Sequence, residues 1–279
     1  MKKVISQWSI RGGDGSRPVA ELMDETVAAG FDGLELAIGT TGFLTPSTSQ
    51  SECEAIRTLA EKKGLIVETL ASGMSWGASP THLDSSVRAR GVRLHVDALQ
   101  RAAWLGCRAL LYVPGAVTIP WDPAYKPVPY DQAMRWATEG LRQLADHAEK
   151  TQVDLAVENV WNGLFYSPLE LAQVLDDVKS PRVGAYFDVG NVLGYHQHPP
   201  DWIRILGPRI KRVHIKDFKT SVGSLSGFCD LLAGDVPWAE TMQALRAIHY
   251  DSTIVAEMMP PDDTLLSRTK AAMDTIFQL

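Results

Sequence analysis

Four side chains able to bind a metal or move a proton each close an apolar run of the chain: Glu158 after LAV, Asp188 after VGAYF, His214 after IKRV and Glu257 after TIVA. A glutamate inside an apolar β-type run is costly to bury unless it is paired or bound to a cation. Three carboxylates and one imidazole form a hard to borderline donor set. It suits Mn²⁺, Mg²⁺ or Co²⁺, is less typical of Zn²⁺, and includes no thiolate that would favour softer metals. Taken singly, Asp188 in DVGN could begin a turn and His214 could be a core histidine. The expectation of one divalent cation rests on all four together.

A second set of residues lies close to these in sequence or at similar strand positions. Asn159 and Asn191 follow Glu158 and Asp188 and could bond a ligand or fill turns. In HIKD, Lys216 and Asp217 follow His214, and one of them faces substrate or both form a strand-end ion pair. Glu35 near the end of GLELAI, and Trp8 on the first apolar run, are candidates to line a pocket. Asn159, Asn191, Lys216, Glu35 and Trp8 are therefore expected as substrate contacts. His82, His196 and His198 in loops, and His95, His147 and His249 in helices, are given no role.

To bring four strand ends together, the elements must alternate. Apolar runs at Val4–Ile10, Gly33–Ile38, Ile66–Ala71, Ala109–Val113, Asp154–Asn159, Val183–Phe187, Arg212–Ile215 and Thr253–Glu257 read as strands. Between them lie amphipathic segments with helix signals: Pro18 at a helix start, Gly30, Gly64 and Gly106 as stops, and Ser167-Pro168 as an N-cap with proline behind it. Strict alternation implies a parallel sheet, and eight units close a (β/α)₈ TIM barrel of the α/β class, here a single domain over residues 1–279. In such a barrel the C-terminal ends of the strands converge on one mouth. No GxGxxG follows the first strand, which argues against an open dinucleotide-binding sheet. Two long loops, Pro114–Pro129 and Ser221–Gly234, are expected to cover the mouth and exclude water.

Composition sets the outer limits. The 279 residues carry a formal charge of −6 and no basic block, so nucleic acid is not an expected partner. No apolar run approaches the ~18–20 residues needed to span a bilayer. The three cysteines, Cys53, Cys107 and Cys229, are far apart and odd in number, which indicates neither a disulfide framework nor a CxxC metal site. The expectation is a soluble, cytoplasmic protein with a small-molecule partner, and a homo-oligomer is left open.

The ordered motifs GLEL, AVEN, FDVGN, VHIKD, GDVPW and VAEM closely resemble the xylose isomerase-like TIM-barrel superfamily. Within it they resemble the sugar phosphate isomerase/epimerase group, which includes ketose 3-epimerases and L-xylulose-5-phosphate 3-epimerase. The resemblance implies that Glu158, Asp188, His214 and Glu257 hold one divalent cation and that Glu158 and Glu257 also act as acid and base. The related endonuclease IV group binds a zinc cluster through extra histidines, one of which falls at Asn191, so a DNA-repair role is not implied. Free-ketose 3-epimerases usually carry a second glutamate and a histidine at the positions of Leu164 and Asn191. By these departures, and by its DVGN and HIKD forms, the chain leans toward the sugar-phosphate branch.

The implied reaction is proton abstraction α to a carbonyl through an enediolate, with 3-epimerisation of a ketose or ketose phosphate favoured. Aldose–ketose isomerisation starts from the same step. An inosose-type dehydratase and a non-catalytic sugar-binding barrel are the alternatives.

Overall fold

In the computed structural model, which describes residues 1–279, eight parallel strands close into a barrel. They are β1 (Lys2–Ser6), β2 (Gly33–Ile38), β3 (Thr69–Ser72), β4 (Ala109–Tyr112), β5 (Asp154–Glu158), β6 (Val183–Asp188), β7 (Ile210–Ile215) and β8 (Thr253–Ala256). Each strand pairs with its sequence neighbours, and β1 pairs with β8 to complete the ring. The helices are α1 (Val19–Ala28), α2 (Gln50–Lys62), α3 (Ser85–Leu105), α4 (Tyr130–Thr151), α5 (Pro168–Val178), α6 (Pro199–Leu206), α7 (Trp238–Ala247) and α8 (Leu265–Ile276). None is long and apolar enough to cross a membrane.

The two-residue period of a strand sorts the side chains into two environments. Leu34, Leu36, Leu155, Val157, Ala185, Phe187, Val213 and Ile215 join the large core between strands and helices. There the Phe187 ring stacks on Trp202 of α6, with centroids 6.0 Å apart. The alternate residues fall on the other face, where Ala71, Leu111, Val113, Ala156 and Tyr186 form a smaller buried cluster inside the barrel. The same alternation puts Glu35, Glu158, Asp188 and His214 on that inner face. Cross-strand register then sets Asp188 beside His214 and Glu158 beside Tyr186.

Several ends differ from the sequence expectation, each for a local reason. The first strand stops at Ser6, not Ile10, and Trp8 lies in a 3₁₀ turn over Gln7–Ser9. Buried Gln7 replaces a ladder contact with its side chain, accepting from the Ala37 amide and donating to the Gly13 carbonyl. The third strand is Thr69–Ser72; of the expected start only Ile66 keeps a single bridge to Gly33. The sixth helix starts at Pro199, not Asp201, and the seventh strand at Ile210, not Arg212. The N-cap at Ser167 forms as expected, its hydroxyl accepting from the Glu170 amide with Pro168 behind it.

Candidate metal centre and active site

Glu158, Asp188, His214 and Glu257 each offer one donor atom, and these atoms lie within 4.8 Å of one another. Strand β6 ends on Asp188 and β5 on Glu158, while Glu257 directly follows β8. The Glu257 amide still donates to the Ile215 carbonyl, so the residue is held as if the ladder continued. The His214 Nδ1 is 3.4 Å from Glu158 Oε1 and 3.7 Å from Glu257 Oε2.

What fixes His214 lies on the far side of its ring. Nε2 is 2.8 Å from Glu35 Oε1, and the other Glu35 oxygen accepts from the Tyr186 hydroxyl at 2.5 Å. A ring that donates from Nε2 to a carboxylate leaves its Nδ1 lone pair for the cluster when neutral. That Nδ1 is buried with no hydrogen-bond partner, as is Asp188 Oδ2. Two orphaned donor atoms facing two glutamates fit a divalent cation, since buried polar atoms otherwise find partners.

Asp188 is held by its neighbours. Its Oδ1 accepts from the Asn191 amide at 2.8 Å, and its own amide donates to Asn159 Oδ1 at 2.8 Å. Asn159 Nδ2 donates back to the Asp188 carbonyl, and Asn191 Nδ2 to the Asn159 carbonyl. Gly190 is required between them, because a Cβ there would sit 2.4 Å from Lys216 Cγ.

Lys216 supplies the one ammonium in the site. Its ammonium is 3.0 Å from Asp188 Oδ2, outside hydrogen-bond geometry, and it donates to Glu257. Asp217 points elsewhere: fully buried, it accepts from the amides of Phe218, Leu232 and Val236 and from the Trp238 indole. Of the HIKD pair, Lys216 faces the site and Asp217 ties down the long loop.

The electrostatics divide the two glutamates. Burial pushes Glu158 up to about 7, although the His214 ring 3.4 Å away pulls the other way. Burial acts on Glu257 too, but the Lys216 charge and then His214 outweigh it and hold the group below the usual glutamate range. Asp188 is raised by burial against the pull of Lys216. Burial alone would depress His214, yet the Glu35 charge and the Glu158 carboxylate 3.4 Å from Nδ1 keep it well above an ordinary histidine. With no cation present the cluster therefore retains protons, which a cation would displace.

These groups open on a cavity of about 930 Å³ lined by Glu158, Glu257, Lys216, Asn191 and Trp8, with Trp76, Trp121, Trp161 and Phe228 as its aromatic walls. Both long loops reach it, the first through Trp121 and the second through Leu225 and Phe228. Two residues expected to contact substrate lie elsewhere. Glu35 is mid-strand, fully buried and engaged at both oxygens, one layer below the cavity floor. Asn159 is turned into the network that holds Asp188. Leu164 is buried in the outer core. Trp8 lines the cavity as expected; Trp76, Trp121 and Trp161 were not expected there, although they share its signal, each lying in the segment following a strand end.

A closed eight-stranded barrel with its donors on consecutive strand ends at one mouth defines a class, and sequence comparison gives the family. Residues 23–276 match the xylose isomerase-like TIM barrel family, and the chain belongs to it. It is 27% identical to the D-psicose 3-epimerase of Enterocloster bolteae over 84% of this chain and 75% of that one. It is 26% identical to the D-psicose 3-epimerase of Agrobacterium fabrum over 90% and 80% of the two chains. Among solved structures, the D-psicose 3-epimerase of Clostridium cellulolyticum H10 superposes with a TM-score of 0.82 at 19% identity, covering 99% of this chain and 98% of that one.

Proposed function

We propose that this protein is a divalent-metal-dependent sugar epimerase that inverts a carbon next to a ketose carbonyl. The observation that carries the reading is the pair Glu158 and Glu257, which flank Asp188 and His214 from β5 and β8 and complete one four-donor cluster. Two separately placed acid–base groups at one substrate carbon are what a two-base inversion requires. The similarity to D-psicose 3-epimerases supports a ketose as substrate.

Asp188, His214, Glu158 and Glu257 would hold the cation, with Mn²⁺, Mg²⁺ or Co²⁺ suited to this oxygen-rich set. When bound, it supplies Lewis-acid polarisation of the substrate carbonyl. Glu257, kept ionised beside Lys216, accepts the proton from the carbon α to that carbonyl. Glu158 stands at the other face and returns a proton that it takes up once substrate is bound, and the roles exchange in the reverse direction. Lys216 donates to Glu257 and sets which glutamate starts as the base. The apolar cavity walls and the two loops exclude water from the carbanionic stage.

Incubation with Mn²⁺ and a panel of ketoses in deuterated water tests the reading by NMR. Deuterium at C3 with formation of the C3 epimer is expected. Deuterium confined to C1 would indicate an aldose–ketose isomerase, and no exchange with any ketose would leave a binding protein.

A further inference from the structure

The cavity is larger and more aromatic than a free ketose requires. Its volume of about 930 Å³ lies at the upper end of the roughly 300–1,000 Å³ that house drug-sized ligands. A hexulose has only a dozen non-hydrogen atoms. The charged residues of its lining are Asp14, Glu158, Lys216 and Glu257. Lys216 is the sole cation among them, and its ammonium donates to Glu257 and lies 3.0 Å from Asp188 Oδ2. Arg90 lines a neighbouring cavity of about 640 Å³, is exposed, and donates to the Gly77 carbonyl. Asp14 lines both cavities. A phosphate in the main cavity would thus meet carboxylates and no free cation.

The aromatic groups have the opposite character. Trp161 is nearly buried and packs against Phe228, with centroids 5.2 Å apart. Trp76 and Trp121 meet edge to face at 4.8 Å, and Trp121 is 46% exposed, at the cavity's open side. Met259, in the lining of the same cavity, is 64% exposed. Indole faces bind the C–H face of a sugar ring or the face of an aryl ring, and neither needs a counter-charge.

Resting on the epimerase reading, the geometry points to a ketose that carries a second ring, sugar or aryl, at its end remote from the carbonyl, seated against Trp76 and Trp121. A phosphorylated ketose is not the fit.

Four ketoses that differ only at C6 test this: D-fructose, its 6-O-glucosyl disaccharide isomaltulose, 6-O-benzyl-D-fructose and D-fructose 6-phosphate. Binding to Mn²⁺-supplemented protein is read by calorimetry, with deuterium exchange followed in parallel. At least one ring-bearing ketose should bind ~tenfold or more tighter than fructose, and the phosphate no tighter; whichever ring gains more identifies it as sugar or aryl. Trp121→Ala, at a half-exposed position, should erase that gain, lowering the ring-bearing ketose to the affinity of fructose, while fructose itself loses severalfold less than the ring-bearing ketose does. Equal affinity for all four, tightest binding of the phosphate, or a uniform loss in Trp121→Ala would overturn the assignment. Exchange on fructose without any ring advantage sinks this inference and spares the epimerase reading. Ring-dependent binding with no exchange on any ketose does the reverse.

Discussion

Glu35 illustrates how much of the site's chemistry lies behind its ligands. Its carboxylate holds the His214 ring by Nε2 and is itself held by the Tyr186 hydroxyl. Partners of this kind commonly carry 10–100-fold in metal affinity. Glu35→Gln should therefore weaken Mn²⁺ binding by roughly that factor, measured by calorimetry, with the circular dichroism of the folded protein unchanged. Unaltered metal affinity would show that the bond is only packing. The two glutamates of the site make a second, sharper case. Glu257→Gln and Glu158→Gln each keep shape but remove a base, so turnover should fall by ~10²–10⁴. Each variant should still exchange one epimer's proton with solvent, and the two variants should favour opposite epimers. If both exchange the same epimer by NMR, the two-base assignment is wrong. Glu158, Asp188, His214 and Glu257 were legible from sequence because a charged group closing an apolar strand has few inexpensive explanations. Glu35 gave the same signal but a different role, since one layer of depth in a barrel depends on strand register, which no single strand's sequence records.

At the scale of elements, eight strand–helix units were legible because stop and cap residues agree with the apolar periods, as at Gly106 and at Ser167-Pro168. The misplaced ends were those where side chains substitute for backbone pairing, as at Gln7. For the loop from Lys216 to Val236, the sequence indicates its length and its place at the mouth but not what holds its shape. What shapes it is Asp217, whose carboxylate gathers four donors, and Gly234, where a Cβ would sit 2.2 Å from Asp217 Oδ1. Bonds to a buried charged acceptor contribute about 1.5–3 kcal/mol each, and donors left unpaired add to the cost of losing it. Asp217→Ala should lower stability by at least ~3 kcal/mol, a melting-temperature drop of roughly 6–12 °C in a domain of this size. Because Leu225 and Phe228 belong to the same loop, substrate affinity should fall with it while Mn²⁺ affinity is retained. A variant with normal melting and normal substrate affinity would show that the loop is held by other means.

For the whole molecule, the cluster that makes chemistry possible also sets how stability responds to pH. Without a cation, Glu158 is raised to about 7 and Asp188 and His214 are also raised. Each then binds its proton more tightly folded than unfolded. Stability linked to such groups is present at low pH and declines as pH rises above the unfolded values, from about 4.5 upward for glutamate. Glu158 alone accounts for a decline on the order of 3 kcal/mol between about pH 4.5 and 7. His95 acts in the opposite sense. Buried against Ser72 and the Gly91 carbonyl, it is depressed to about 4 by burial, so its contribution is lost as pH falls from 6.5 toward 4. In the metal-free protein the two dependences partly cancel. A bound cation replaces the protons of the cluster but leaves His95 untouched, so subtracting metal-free from metal-loaded stability removes the His95 contribution. The melting temperature should therefore be higher with 1 mM Mn²⁺ than with a chelator, and the gap should widen steadily from pH 5.5 to 7.5, to roughly 6–12 °C at the upper end. Differential scanning fluorimetry across that range measures it directly. A gap that is constant, or that narrows as pH rises, would mean that Glu158, Asp188 and His214 do not exchange their protons for a metal.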